Sequence, residues 1–274
     1  MGTGSRRRAR KRPAAAPLRE ARRALCESEA LLRLEHGVTR CLAKAGSVSA
    51  ALKSVLRIVC EAKGWDCGRY FAADETAGEL RCTECWGRDR PALRAFMKGS
   101  RGLRIARGAG LAGRVWQSGK PLWVADVRKD SRGPSALLAE TAGIHGAADF
   151  PVESAAGILG VIAFSSRDVR KPEQRLLRVM EVVGRQLGQH LSHKRVEEEQ
   201  RRFPLAKAFM VNTTLYALGP MASGFVELLE QCNTVAELQS HLEEYLKGIT
   251  TGSGHESAEK YAAELSKLFP PKVG

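Results

Sequence analysis

The sequence predicts an α+β fold in which helices pack on an antiparallel sheet, followed by a small all-α unit. Three observations lead to this prediction. Two segments with helical apolar spacing come before a series of short strand-like segments separated by turn residues. A long helical segment follows the strands, and residues 203–274 hold helical patterns without a strand-like segment. Strands and helices grouped in this way are typical of α+β proteins.

The amino-terminal region combines a basic tail with a helix. Residues 1–23 hold nine Lys or Arg and one acid, and we expect residues 1–17 to be a disordered basic tail. Residues 18–46 have the apolar spacing of a helix. Its leucines recur every seven residues, at Leu18, Leu25 and Leu32. This spacing favours pairing with another helix, either of a second copy or of the same chain.

A second helix and a β-hairpin follow. Ser47 is placed to cap a helix over residues 48–62. Residues 65–73 and 79–87 are rich in strand-forming residues and are separated by a turn, which predicts a hairpin. Residues 89–100 return to helical spacing.

Residues 108–126 carry most of the residues that suggest a function. Three glycines open the segment, and a short helix with Arg114 and Trp116 follows. A glycine ends this helix, and residues 121–124 then have the pattern of a strand that leads to Asp126.

The spacing Gly108-x-Gly110-x-x-Gly113 matches the dinucleotide-binding fingerprint as a string. In that fingerprint the glycines follow an apolar strand of a βαβ unit, whereas here Arg104 and Arg107 interrupt the preceding segment. We therefore interpret the glycines as a tight turn that leads into a closely packed helix. The alternative is that the start of the helix binds an anionic ligand through its free N–H groups.

Two further strands, over residues 146–153 and 158–165, precede a long helix. In this helix apolar residues are spaced by three and four, at Leu176, Met180, Val183, Leu187 and Leu191. This predicted dimer stripe either packs on the sheet and the first helix or pairs with a second copy across a two-fold axis, and the family resemblance described below implies both at once. Pro204 is expected to break the helix, so that the sheet-containing unit covers residues 47–202 and the small helical unit residues 203–274.

Several motifs, in this order, resemble those of the GAF domain family. They are Gly64-Trp-Asp-Cys-Gly68, Gly108-x-Gly-Leu-x-Gly-Arg-Val-Trp116, Ser118-Gly-Lys-Pro-Leu-Trp123, Asp126-Val, Phe150-Pro-Val and Gly160-Val-Ile-Ala-Phe-Ser. The resemblance covers residues 30–200 and is greatest to the GAF domains of bacterial sensor kinases and cyclic-nucleotide signalling enzymes. It implies a six-stranded antiparallel sheet between helices, a ligand pocket on one sheet face, and a homodimer formed through terminal helices. Residues 18–46 would then be a signalling helix and the chain a sensory, signal-transducing protein.

The C-terminal residues are similar to a small helical segment of some bacterial signalling proteins. The similarity rests on Gly219-Pro-Met-Ala222 ahead of a helix and on residues 235–238. It implies a contact within the chain or with a signalling partner protein. No kinase, cyclase, phosphodiesterase or helix-turn-helix pattern follows the GAF-like region, so we expect the output to come from this unit or from a separate partner.

Eight side chains are candidates for lining a ligand pocket: Cys67, Trp86, Arg114, Trp116, Trp123, Asp126, His145 and Phe150. The tryptophans are able to stack on a planar small molecule, with core packing as the alternative, and Asp126 or Arg114 would hold a polar group. His145 would be a haem ligand or, more simply, a hydrogen-bonded histidine. The wider motifs of bilin-binding photoreceptors are absent around Cys67, and so is the cyclic-nucleotide signature of the family. The sequence requires no cofactor.

Seven cysteines are scattered along the chain, and we expect them to be free thiols. Cys82-x-x-Cys85 lacks a second pair or a nearby histidine, so no zinc site is predicted. Residues three apart on a regular strand face opposite sides, and these two thiols are therefore expected to diverge. The methionine-sulfoxide-reducing GAF enzymes have a cysteine in the glycine segment, which this chain lacks. A thiol-based redox sensor or enzyme that uses Cys67, Cys82 or Cys85 remains the alternative function.

Composition and charge limit the remaining function classes. The chain has a formal net charge of +14, of which residues 1–23 contribute +8, and binding of nucleic acid by residues 6–12 is a further alternative. No apolar run is long enough to span a membrane, and no apolar stretch follows the arginines as in a secretory signal, so we expect a cytoplasmic protein. Because no set of residues for covalent or metal chemistry is assembled, we do not expect an enzyme.

Overall fold

The computed structural model describes residues 15–129 and 136–269, so most of the predicted basic tail lies outside the described residues. Helix α1 begins at Ala15, three residues before the predicted start. The helices are α1 Ala15–Lys44, α2 Val48–Lys63, α3 Pro91–Arg101, α4 Gly110–Ser118, α5 Ala136–Thr141, α6 Gln174–Leu218, α7 Ser223–Gln231, α8 Val235–Ser240, α9 Leu242–Ser253 and α10 His255–Leu268, with 3-10 turns at Val127–Lys129 and Gly219–Ala222. The strands are β1 Cys67–Asp74, β2 Glu79–Gly87, β3 Arg104–Ala106, β4 Leu122–Val124, β5 Gly146–Ser154 and β6 Gly157–Ser166.

The strands form one sheet in the order β3-β2-β1-β6-β5-β4, and every neighbouring pair is antiparallel. This confirms the α+β fold and the six-stranded sheet that the resemblance implies. The residue pattern did not predict β3, because Arg104 makes the segment look like a loop. The strand lies at the sheet edge, where Arg104 is exposed and only Ile105 is buried, so the edge position tolerates the charge.

Two helical layers cover the two faces of the sheet. Helices α1 and α2 and the first half of α6 pack on one face, which we call the helix face, around a large apolar cluster that includes Val55, Ile162 and Phe164. Helices α3, α4 and α5 cover the opposite face, which we call the site face. The sheet is therefore buried on both sides, and neighbouring residues of one strand enter different environments.

The predicted dimer stripe lies inside the helix-face core. Leu176, Met180, Val183, Leu187 and Leu191 are each at most 1% exposed, and they pack in one cluster with α1, α2 and the sheet. Side chains that are already buried within the chain cannot also form a contact with a second copy. The stripe therefore packs on the sheet and the first helix, which was the first of the two alternatives.

Helix α1 uses a different stripe from the seven-residue leucine repeat. Leu31, Leu34 and Val38 are buried against the rest of the chain, whereas Leu25 is 60% exposed and Leu32 is 52% exposed. Leu25 and Leu32 therefore lie on the outer side of α1.

Helix α6 runs for 45 residues through Pro204, so the predicted break at this proline is wrong. Proline has no N–H and cannot donate to the carbonyl of Gln200, one turn earlier. Gln200 and Pro204 are both exposed, so water is able to reach the carbonyl that lacks its helical partner.

The second half of α6 packs with α7 to α10 around a core of its own. This core is made of Ala206, Met210, Leu229, Cys232, Val235, Leu238, Tyr245, Ile249, Ala258, Leu265 and Phe269. Thr234 caps α8 by accepting a hydrogen bond from the backbone N–H of Glu237, as its sequence position suggests. A small all-α unit thus follows the sheet, and it shares α6 with it.

The contact between α6 and β5 is unusually close, because α6 carries glycine where it crosses the strand. A Cβ atom at Gly184 would overlap the carbonyl oxygen of Pro151, and one at Gly188 would overlap that of Glu153. The helix backbone therefore rests directly on the strand backbone.

Among the described residues, no helix combines the length and the apolar character that crossing a membrane requires.

Candidate functional site

The eight candidate pocket residues do not lie on one face of the sheet. Trp86, Trp123 and Phe150 belong to the helix-face core. Trp123 packs against Trp65 with the rings tilted by 58° and their centroids 5.4 Å apart, and its Nε1 donates to the carbonyl of Arg170 over 2.8 Å. Phe150 packs on Phe164 at 6.3 Å. These three side chains are core residues, and they cannot line a cavity on the opposite face.

Three candidates do lie on the site face. Cys67 is fully buried in a cluster with Leu93 and Phe96 of α3. Trp116 is 2% exposed, and the guanidinium of Arg107 covers its ring at 4.3 Å. Arg114 lies one turn after the start of α4 and donates through Nε to the carbonyl of Gly110 over 2.9 Å.

The last two candidates lie at the sheet edge. Asp126 accepts two hydrogen bonds of 2.8 Å from Arg128, and this pairing lowers the pKa of the carboxyl to about 2. The half-buried His145 precedes β5. Its backbone N–H donates to the carbonyl of Ser166 over 2.8 Å. Both residues have local partners that account for their positions.

The most informative polar residues of the site face are Arg69 and Asp149. Arg69 of β1 and Asp149 of β5 are both paired in register with Ala163 of β6, so the three residues form one row across the sheet. Arg69 is 7% exposed and Asp149 is 3% exposed. Because Ala163 carries only a methyl group, nothing large from the sheet stands between two buried ionisable side chains whose strands are about 10 Å apart.

The guanidinium of Arg69 is held by hydroxyl groups and aromatic rings. Its Nη1 donates to Ser100 Oγ over 3.0 Å and its Nη2 to Ser165 Oγ over 3.3 Å. The rings of Phe96 and Phe71 lie 4.3 Å and 5.2 Å from its central carbon. Within residues 15–129 and 136–269, the Nε atom of Arg69 has no hydrogen-bond partner.

Among the described residues, the carboxyl group of Asp149 also has an atom without a hydrogen-bond partner. Burial raises the pKa of its carboxyl to about 7, although the nearby Arg69 and Arg114 act in the opposite direction. Its Oδ1 atom and the Nε1 atom of Trp116 have no hydrogen-bond partner within the described ranges. Buried polar atoms are nearly always hydrogen-bonded in folded proteins, so three such atoms in one layer mark a place where a ligand or ordered water belongs.

The two thiols of Cys82 and Cys85 also meet on the site face, which corrects the prediction that they diverge. Cys82 pairs with Phe71 and Glu84 with Tyr70, so Thr83 is an extra, exposed residue of a β-bulge. One extra residue shifts the alternation of the strand, and residues three apart then face the same side. The two Sγ atoms are 3.4 Å apart. Among the described residues, no group of three or more His, Cys, Asp or Glu is placed to hold a metal ion.

Comparison with known proteins agrees with this architecture. The profile of the GAF domain family matches residues 45–192, which is more than half of the chain. The chain belongs to the GAF domain family. No curated protein matches it.

Solved GAF domains share the fold at low sequence identity. The GAF domain of a phosphoenolpyruvate-protein phosphotransferase from Coxiella burnetii is 22% identical, with a TM-score of 0.52, over 62% of this chain and 96% of that one. The GAF domain of the corresponding Acinetobacter protein is 14% identical, with a TM-score of 0.51, over 61% of this chain and 95% of that one. The family profile ends at residue 192, before the second half of α6 and the C-terminal helices of this GAF protein.

Sequence reasoning missed Arg69 and Asp149, although each leaves a signal. Arg69 alternates with Cys67 and Phe71, so it occupies a core-facing position of a strand in which its neighbours on that face are apolar. Asp149 has the same position in β5. An ionisable residue at a core-facing strand position indicates a site, but only the strand order reveals that the two residues share a row.

Proposed function

We propose that this GAF protein is a sensory or regulatory protein that binds a small polar molecule on its site face and relays the binding through α6 to the C-terminal helical unit. GAF domains are commonly sensory or signalling modules in bacteria. The observation that carries the proposal is the set of buried polar atoms without partners, at Arg69, Trp116 and Asp149. Leaving such groups unpaired in a dry core is unfavourable by about 1–3 kcal/mol each, whereas a bound molecule would satisfy them.

The chemistry of these atoms defines the class of ligand. Arg69 Nε and Trp116 Nε1 are donors and need an acceptor. Asp149 Oδ1 accepts when the carboxyl is ionised, and the carboxyl is also able to donate when it is protonated. A small molecule with an anionic or carbonyl group beside a donor group, such as an amino acid, meets both requirements.

Strand β5 supports the relay part of the proposal. Its residue Asp149 projects into the site face, while the carbonyls of Pro151 and Glu153, two and four residues later, touch the glycines of α6. A ligand that shifts β5 would therefore change a backbone contact of α6 without an intervening side chain. A relay requires that the ligand binds the two helix positions with different affinity.

Other parts of the proposal rest on more local observations. The exposed Leu25 and Leu32 of α1 support a homodimer through terminal helices, and the separate core around Met210 supports a contact with a signalling partner protein. We infer a non-catalytic role in the cytoplasm. Nucleic-acid binding by residues 6–12 stays a prediction, because these residues lie outside the described ranges.

Differential scanning fluorimetry of the full chain with a panel of free amino acids and the matching 2-oxo acids tests the binding. We expect at least one compound to raise the Tm of the wild type by a few degrees, through preferential binding to the folded state. Arg69→Leu and Asp149→Asn should each abolish the shift, whereas Glu243→Gln, which removes only the exposed ion pair with Lys247 in α9, should keep it.

Hydrogen exchange of the same samples tests the relay. Binding should change the protection of residues 180–192 of α6. A compound that raises the Tm of both site variants as much as that of the wild type would place the binding site elsewhere. A bound compound that leaves α6 unaffected would remove the relay from the proposal.

A further inference from the structure

Cys82 and Cys85 are a close pair of thiols on the site face. Their Sγ atoms are 3.4 Å apart. Cys82 is 6% exposed and lies beside the apolar side chains of the core under α4, while Cys85 is half-buried and its Sγ lies 3.9 Å from the carbonyl of Met97 in α3. Cys85 is therefore the more exposed residue of the pair.

The surroundings of this pair differ from those of the other buried cysteines. Burial raises the pKa of the Cys60 and Cys67 thiols, the latter to about 11, which keeps both protonated and unreactive. The contact with Cys82, and then Arg69 and Arg101, lower the pKa of the Cys85 thiol. The same contact, together with burial, raises the pKa of Cys82. One thiol is thus ready to ionise while its neighbour holds the proton.

We propose that Cys82 and Cys85 form a reversible dithiol–disulfide site that reacts with small hydroperoxides, with Cys85 as the attacking thiolate and Cys82 as the resolving thiol. This inference goes beyond the proposed ligand binding and does not depend on it.

The reaction consumes one hydroperoxide and two thiols. The Cys85 thiolate attacks the terminal oxygen of the hydroperoxide, the O–O bond breaks, and the leaving oxygen takes a proton to give an alcohol or water. Cys85 is then a sulfenic acid. Cys82 attacks its sulfur, the S–O bond breaks, and the hydroxide leaves as water with the proton of Cys82. A dithiol reductant restores the two thiols by exchange through a mixed disulfide.

The β-bulge at Thr83 allows a disulfide bond to form between Cys82 and Cys85. A disulfide requires an S–S distance of about 2.05 Å, so the two sulfur atoms must approach each other by more than 1 Å. Thr83 between them has no partner in β1, so this part of β2 is less constrained by ladder hydrogen bonds than the strand on either side.

Oxidation would also affect the buried arginine. Cys85 and Arg69 are register partners, so the thiolate is the negative group that β2 places beside that guanidinium. Forming the disulfide removes this charge. The redox state of the pair is therefore expected to change the electrostatics at Arg69.

Peptide mapping provides a direct test, because Arg81 and Arg88 flank the pair. Trypsin releases residues 82–88, a peptide that contains both cysteines and no other. The full chain, without added ligand, is treated with one equivalent of hydrogen peroxide and alkylated before digestion. We expect this peptide to escape alkylation, to be lighter by about 2 Da than the reduced peptide, and to revert with dithiothreitol. The rate should rise with pH as Cys85 ionises, and should level off at a lower pH than for an ordinary cysteine.

Variants assign the two roles. Cys85→Ser should slow peroxide consumption by at least about tenfold, and Cys82→Ser should retain it but stop at a sulfenic acid that dimedone traps on residue 85. Cys60→Ser, which removes another buried thiol, should behave as the wild type.

Two results would overturn the assignment. One is a wild-type peptide 82–88 that remains fully alkylated after peroxide treatment while other cysteines are oxidised. The other is an unchanged rate in the Cys85→Ser variant. The wild-type mapping decides the question even if a variant fails to fold, and it is independent of whether the amino-acid panel yields a ligand.

Discussion

The two faces of the sheet are formed by the same strands but bury different kinds of side chain. The helix face is filled by aromatic and aliphatic side chains such as Trp65, Phe150 and Phe164, and it closes the core between α2 and α6. The site face buries Arg69, Asp149 and a pair of thiols among its apolar residues. Arg69 and Asp149 are buried almost as deeply as the helix-face residues, so depth of burial alone does not distinguish a core from a site. The chemical kind of the buried group does, because burying a polar atom without a hydrogen-bond partner is unfavourable, and such atoms therefore mark a place for a ligand or ordered water.

The largest expected effect comes from the helix face. Phe150→Ala should lower the free energy of unfolding by about 3–5 kcal/mol, because it leaves a cavity beside Phe164 in a closed apolar core. Urea denaturation measures the loss. Asp149→Asn, at the preceding residue but on the other face, should not destabilise the protein to a similar degree at neutral pH. Equal losses for the two variants would remove the distinction between the faces.

The second-largest loss of stability is expected from a substitution at the contact of α6 with β5. Gly188→Ala adds one methyl group that meets the backbone of Glu153, and a backbone cannot move aside as a flexible side chain does. We expect a loss of roughly 1–3 kcal/mol in thermal or urea unfolding. Gly224→Ala, at an open position of α7, serves as the control and should have no such loss. A tolerated Gly188→Ala would mean that α6 is not held directly on the strand.

The buried carboxyl predicts a pH dependence with a definite sign. The pKa of Asp149 is raised to about 7 in the folded protein, so the folded state binds its proton more tightly than the unfolded state. The stability that this group contributes is therefore present below about pH 4 and is lost as the pH rises to about 7. Between about pH 5 and about pH 8 the wild type should lose roughly 2–3 kcal/mol more than Asp149→Asn, as measured by urea unfolding at both values. Parallel pH profiles for the two proteins would show that the carboxyl is not desolvated.

The smallest effect is expected on the outer side of α1. Leu25→Ser and Leu32→Ser together should change the stability of the monomer by less than about 1 kcal/mol, because both side chains are already exposed. Light scattering should show whether the double variant loses a dimer that the wild type forms. Leu31→Ser, one residue from the repeat but buried, should instead destabilise the monomer.

The residue patterns predicted most of the fold but only part of the site. Ser47, the hairpin and the long helix follow from local spacing and capping, which act over a few residues. Trp86 and Trp123 looked like ligand-stacking residues, but alternation along the strands turns them to the helix face. The thiol pair depends on the single extra residue at Thr83, and such a bulge leaves no signal in the alternation of β2. The row of Arg69 and Asp149 depends on strand order, which joins residues far apart in the chain.

Because α6 is uninterrupted, the number of residues between the two cores determines the orientation of the C-terminal unit relative to the sheet. Leu191 is the last α6 residue in the sheet core and Phe203 the first that packs on the C-terminal core, so about three helical turns between them belong to neither core. Removing or adding one residue in this span would rotate one core against the other by about 100°, while a change of seven residues would restore nearly the same phase. The span would therefore tolerate changes of sequence far better than changes of length, and length changes in steps of about two turns would preserve the angle between the cores.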